Sequence, residues 1–131
     1  MRKLVLILFL GLTANLVLTA CSSSPNSGAP AAAVDSYLNA LVAKDADRVP
    51  TLVCGEWEEE ALIELDSLQA VSARLEGVSC TQTGTDGSTA LVDCTGSIVL
   101  TYDTEDQNID LANVTYQVVE EAGDWLVCGK R

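Results

Sequence analysis

The sequence predicts an α+β domain in which three N-terminal helices pack on a four-stranded antiparallel sheet. Three observations carry this. Up to Ala73 the apolar residues recur at helical spacing, and after Leu75 they alternate with polar ones, the period of a half-buried strand. The segment Thr83-Gly84-Thr85-Asp86-Gly87-Ser88, between two alternating runs, contains Asp-Gly, a strong short-range hairpin signal.

The elements follow in order. Ala33 to Lys44 is expected to be a helix, because Val34, Leu38, Leu41 and Val42 recur at i, i+4, i+7 and i+8, with Tyr37 on the flank. Asp47 is placed to cap a second, short helix that tolerates Pro50 in its first turn and ends near Cys54, where Gly55 breaks it. Glu58-Glu59-Glu60 puts negative charge on the first turn of a third helix, where the helix dipole favours it. Leu62, Leu65 and Leu68 follow on one side, and the pattern fades near Ala73.

Val78, Cys80 and Gln82 then alternate with Ser79 and Thr81. Beyond the hairpin signal, Ala90, Val92, Cys94, Gly96, Ile98, Leu100 and Tyr102 alternate with a more polar set, giving a long strand with Gly96 as a bulge or bend. Asp103 to Asn108 is expected to be a polar turn. Ala112, Val114, Tyr116 and Val118 form a third strand, Glu120 to Gly123 a turn, and Asp124 to Cys128 a short final strand.

The N-terminus predicts location. Arg2 and Lys3 precede an almost wholly apolar run, Leu4 to Leu18, too short to span a bilayer and typical of a secretory signal. It ends in Leu18-Thr19-Ala20-Cys21, which resembles the bacterial lipobox. The resemblance implies cleavage before Cys21 and acylation of Cys21 with palmitate-type chains, which hold a protein stably on a membrane when two or more are present. Residues 1–20 are then a lipoprotein signal peptide, 21–32 a flexible tether rich in Ser, Pro, Asn, Gly and Ala, and 33–131 a single domain. The expected location is the cell membrane or outer membrane, with the domain extracytoplasmic.

Removal of residues 1–20 leaves 111 residues with 5 basic and 19 acidic side chains, a formal charge of −14. That balance argues against binding nucleic acid or anionic lipid through the protein surface, so the membrane partner is engaged through Cys21. With Cys21 acylated, four cysteines remain, an even number in an exported chain, which points to two disulfides. With Asp86 and Gly87 at the centre of the turn, Cys80 and Cys94 fall within one residue of facing each other, and a three-residue loop would make them directly opposed. Cys54–Cys128 follows by exclusion.

Helices first, then a hairpin of long strands, then two more strands: this order resembles the nuclear transport factor 2-like (cystatin-like, ketosteroid-isomerase-like) superfamily. The residues that carry the resemblance are Val34-Asp35-Ser36-Tyr37-Leu38-Asn39-Ala40-Leu41, the Lys44-Asp45 break, and Gly123-Asp124-Trp125-Leu126-Val127. The resemblance covers residues 32–128 and is greatest to small cysteine-bearing bacterial lipoproteins. It implies a curved sheet wrapped around a helix as a cone-shaped roll, with a pocket that Tyr37, Trp57, Tyr116 and Trp125 are candidates to line.

Enzymes of this superfamily use an Asp or His base with tyrosine or carboxylic acid donors to an oxyanion. The chain has no histidine, so a comparable set must come from Tyr37, Tyr102 and Tyr116 with Asp35 or Asp110. Asp93 falls on the polar side of its strand and is a poor buried base. No triad, phosphate loop or metal-spaced pair is present, and neither a cofactor nor a metal is expected. Asp103 to Asp110 places acids and amides at alternate positions but lacks the Gly and terminal Glu of a calcium loop. The reading is a lipid-anchored, non-catalytic domain that binds a small ligand or an envelope protein, the alternative being a divergent isomerase- or dehydratase-like enzyme. Leu91, Val99 and Val119 interrupt the polar face of the sheet and suggest a homodimer through it.

Overall fold

The computed structural model describes residues 28–131. The expected signal peptide, Cys21 and most of the tether lie outside the described residues. The element order is helix α1 (Ala29–Val42), a 3₁₀ turn (Val49–Leu52), helix α2 (Glu58–Ser67) and strands β1 (Ser72–Asp86), β2 (Thr89–Tyr102), β3 (Glu105–Asp110), β4 (Thr115–Glu121) and β5 (Asp124–Lys130). The fold is α+β, but it has two α-helices and a five-stranded antiparallel sheet rather than three helices on four strands. Among the described residues no helix is long and apolar enough to cross a membrane.

The missing helix has a local cause. Val49-Pro50-Thr51-Leu52 closes one 3₁₀ turn, and Val53 then goes extended (φ −124°, ψ 154°) to bridge Val127 in parallel. Asp45, not Asp47, supplies the side-chain oxygen at its start, accepting from the Arg48 N–H at 3.0 Å. α1 begins at Ala29, so Ala29 to Ala32 belong to the helix and not to the tether; Pro30 is tolerated in the first turn, where its missing N–H would have had no partner. α2 stops at Ser67, and the chain is extended again from Ser72.

The extra strand is β3. All six of its residues are exposed, so it has no alternation to announce it. Backbone pairing from Ser97↔Asp110 to Tyr102↔Glu105 makes it a strand where a polar turn is expected. It shares one edge of β2 with β4: β3 pairs residues 97–102, and β4 pairs 90–93. Between them the Leu111 N–H donates to the Gly96 carbonyl at 3.0 Å, and the Leu111 side chain is buried in the core. β3 and β4 are thus one path along β2, broken at Leu111–Val114.

Gly96 sits where β1 carries a bulge between Glu76 and Ser79. Its φ of +88° and a virtual Cβ only 2.5 Å from the Gly77 carbonyl oxygen leave room for glycine alone.

α1 lies on one face of the sheet against β1, β2, β4 and β5. Val34, Tyr37, Leu38 and Leu41 of the helix share a single core with Val92, Ile98, Leu100, Tyr116, Val118 and Val127 of the sheet. Each such side chain contributes about 1.5–3 kcal/mol on full burial, which is what fixes the helix to the sheet. α2 buries Ala61 and Leu65, and Leu68, just past its end, is buried as well. Leu62, expected on that side, is 38% exposed, because the buried stripe runs through Ala61 at i−4 from Leu65.

Candidate functional site

Tyr37 on α1, Glu64 on α2 and Lys130 on β5 meet where the helices cross the end of the sheet. The Tyr37 hydroxyl donates to Glu64 Oε2 at 2.8 Å, and Lys130 Nζ donates to Glu64 Oε1 at 2.8 Å. Glu64 is a residue the sequence reading missed. Its one sequence signal is position, i+3 from Ala61 beside the buried stripe, and the other acids of α2 mask it. Burial and the neighbouring Glu64 carboxylate push the Tyr37 phenol well above its ordinary value, with the Trp57 indole beside it pulling the other way. Burial, and less strongly Glu64, also raise the Tyr116 phenol.

The four pocket candidates occupy different places. Tyr37 and Tyr116 are closed inside the core, while Trp57 and Trp125 pack against it, half-buried. The set expected for an isomerase-like site does not assemble. Tyr102 is exposed at the β2–β3 hairpin. Asp35 lies on the outer side of α1, its carboxyl raised by partial burial. Asp110 caps the chain break by accepting from the Ala112 N–H at 2.8 Å. Asp93, half-buried, accepts from the Thr115 hydroxyl at 2.7 Å. The acids of 103–110 are spread along a strand, and Asp106 is held below the usual carboxylate range by hydrogen bonds from Arg74 and Thr101. Of the three residues expected to form a dimer face, Val99 is buried and Leu91 and Val119 are half-buried.

Both expected cysteine pairs stand at disulfide distance. Cys80 and Cys94 are directly opposed in the β1–β2 ladder, Cα 4.0 Å apart. The turn that achieves this is Gly87-Ser88, one residue later than expected, with Gly87 at φ +60°. A bulge at Thr83 takes back half of the resulting register shift, and the cysteines fall opposite each other. Cys54 and Cys128 are 5.2 Å apart at Cα, with Cys128 the extra residue of a bulge in β5. The Cys54 N–H donates to the Val127 carbonyl at 3.0 Å, so the backbone alone brings them together.

An open groove of about 540 Å³ runs along the outer side of α2, lined by Gly55, Glu58, Glu59, Leu62, Ile63 and Asp66. Ile63 is 63% exposed there. Ile63 is the most exposed large apolar side chain among the described residues, and three carboxylates border the groove.

No protein-family model and no curated protein matches this chain. Its fold does have a counterpart among solved structures. A SEC-C motif containing protein from Rhodopseudomonas palustris, known from a solution structure, is similar with a TM-score of 0.52 at 16% identity, over 80% of each chain. The likeness is one of fold.

Proposed function

We propose that this chain is a lipid-anchored cell-envelope protein whose domain is a non-catalytic binding module, and that the groove on α2 is its binding surface. The observation that carries the binding assignment is the exposed Leu62–Ile63 pair between Glu58, Glu59 and Asp66. That chemistry suits a partner segment that is apolar and basic, in keeping with a mature chain of charge −14. The envelope location is supported by the lipobox-like Leu18-Thr19-Ala20-Cys21 together with two cysteine pairs that leave only Cys21 over.

Catalysis loses support on geometry. Glu64, the carboxylate hydrogen-bonded to a core tyrosine among the described residues, has both oxygens engaged, by Tyr37 and by Lys130. A carboxylate already hydrogen-bonded and ion-paired in this way is a weakened base, and the two core phenols are out of reach of a substrate.

The test has two arms. Intact mass of protein from its own host is expected to show an acylated Cys21 as first residue, and Cys21→Ser to lose the acyl mass; an uncut leader or a bare thiol overturns the anchoring. A photo-crosslinker at Ile63 is expected to capture an envelope protein through a basic, apolar segment, while one at Ser79 captures none. Equal capture at both positions, or none at either, overturns the groove.

A further inference from the structure

Among the described residues, Cys54, Cys128 and Glu121 bring one ligand atom each, two Sγ and a carboxylate oxygen, to within 4.8 Å of one another. We propose that, when the Cys54–Cys128 pair is reduced, these three residues form a site for a thiophilic divalent cation of the Zn²⁺ class.

Three features argue for it. The first is spacing. Tetrahedral coordination with Zn–S about 2.3 Å and Zn–O about 2.0–2.2 Å places ligand atoms less than about 4 Å apart, and side-chain rotation covers the rest. The second is preorganisation. The two cysteines are held by the Cys54 N–H to Val127 carbonyl bond and the Val53↔Val127 bridge, with Val53 and Val127 both buried. Opening the sulfur–sulfur link therefore leaves the thiols side by side. The third is the contrast within the molecule. Cys80 and Cys94 are closer still at Cα, yet both are buried in the sheet and no third ligand converges on them among the described residues. Cys128 and Glu121, by comparison, are half-buried and exposed, which gives a cation a way in.

The chemistry balances with a dithiol reductant. Its two thiols become a disulfide, and Cys54 and Cys128 together take up two electrons and two protons. The cation then displaces those two protons to solvent and binds two thiolates and a carboxylate, with the fourth position open to water. The pair is thus a reduction-gated cation site, shut when oxidised. A strongly acidic chain favours cation entry.

The experiment uses the full chain carrying Cys21→Ser, reduced by a water-soluble phosphine, which supplies the two electrons and becomes its oxide with oxygen from water. Cd²⁺ titration is expected to give a thiolate charge-transfer band saturating at one ion per chain, absent before reduction. Glu121→Gln is expected to weaken the affinity at least about tenfold. Zn²⁺ is expected to protect Cys54 and Cys128, but not Cys80 and Cys94, from alkylation read by peptide mass; this arm keeps all four of these cysteines in place. No saturable band, equal protection of all four cysteines, or unchanged affinity in the Glu121→Gln chain overturns the site.

Discussion

The Tyr37 hydroxyl and the Glu64 carboxylate form a 2.8 Å hydrogen bond between α1 and α2, across 27 residues of sequence. The donor is wholly buried and the acceptor half-buried, so the bond ties the outer helix to the one in the core. Its two ends are not equivalent. Tyr37→Phe removes a donor and leaves Glu64 paired with Lys130; Glu64→Ala leaves a buried hydroxyl with its acceptor gone. Denaturant titration is expected to show both variants destabilised, by about 1–2 kcal/mol for Tyr37→Phe and about 2–3 kcal/mol for Glu64→Ala. A Glu64→Ala chain as stable as Tyr37→Phe would show that water replaces the carboxylate.

The raised phenols of Tyr37 and Tyr116 set an alkaline limit. Their folded values lie above the ordinary 10.0, so the stability they contribute is complete below pH 10 and is lost as the pH rises through that value toward the raised ones. In a Tyr102→Phe chain, which isolates the two, the phenolate absorbance is expected to rise together with the loss of far-ultraviolet circular dichroism. Ionisation well before unfolding would contradict their burial.

Gly96→Ala is expected to cost about 2–4 kcal/mol, the left-handed backbone and the collision with the Gly77 carbonyl acting together. Gly84→Ala, in the same hairpin but with open space around its missing Cβ, is the control and is expected to be within about 0.5 kcal/mol of the parent. Thermal midpoints of the two variants measure the difference.

Ala122 offers the opposite case. It holds φ +51° in the β4–β5 turn beside Gly123 at +90°, a conformation that suits Gly or Asn. Ala122→Gly is expected to raise stability by about 1 kcal/mol, read as a higher denaturant midpoint at unchanged slope.

The two cysteine pairs are expected to differ in worth. Their sequence separations are 14 and 74, and in the chain-entropy picture the longer loop is the more stabilising, about 4 kcal/mol against about 3. Replacing Cys54 and Cys128 by Ser is expected to lower the midpoint of the oxidised protein more than replacing Cys80 and Cys94. The reverse order would mean that the Cys54 to Val127 backbone contact already closes that loop in the unfolded ensemble.

What could be read from the sequence was whatever repeats. Val34, Leu38 and Leu41 gave the core helix, the alternation from Ala90 gave β2, and Cys80 could be matched to Cys94 because the ladder has a fixed period. What was hidden had no period or had the wrong one. β3 is polar on both faces, so nothing but backbone pairing defines it. In α2 the leucine pattern points to Leu62, but the small Ala61 is the residue the neighbouring elements bury. Glu64 is a single acid among acids and carries no pattern, and its partners lie 27 and 66 residues away.

The closing strand has a consequence for survival among proteases. Val53 and Cys54 are fastened to β5, two residues from its end, so with that link closed all of the sheet but Gly129 and Lys130 lies inside one covalent ring. A single cut at the exposed Asp103–Thr104 corner then releases no fragment. The severed halves stay on one molecule and can find each other again, until a reductant unfastens them.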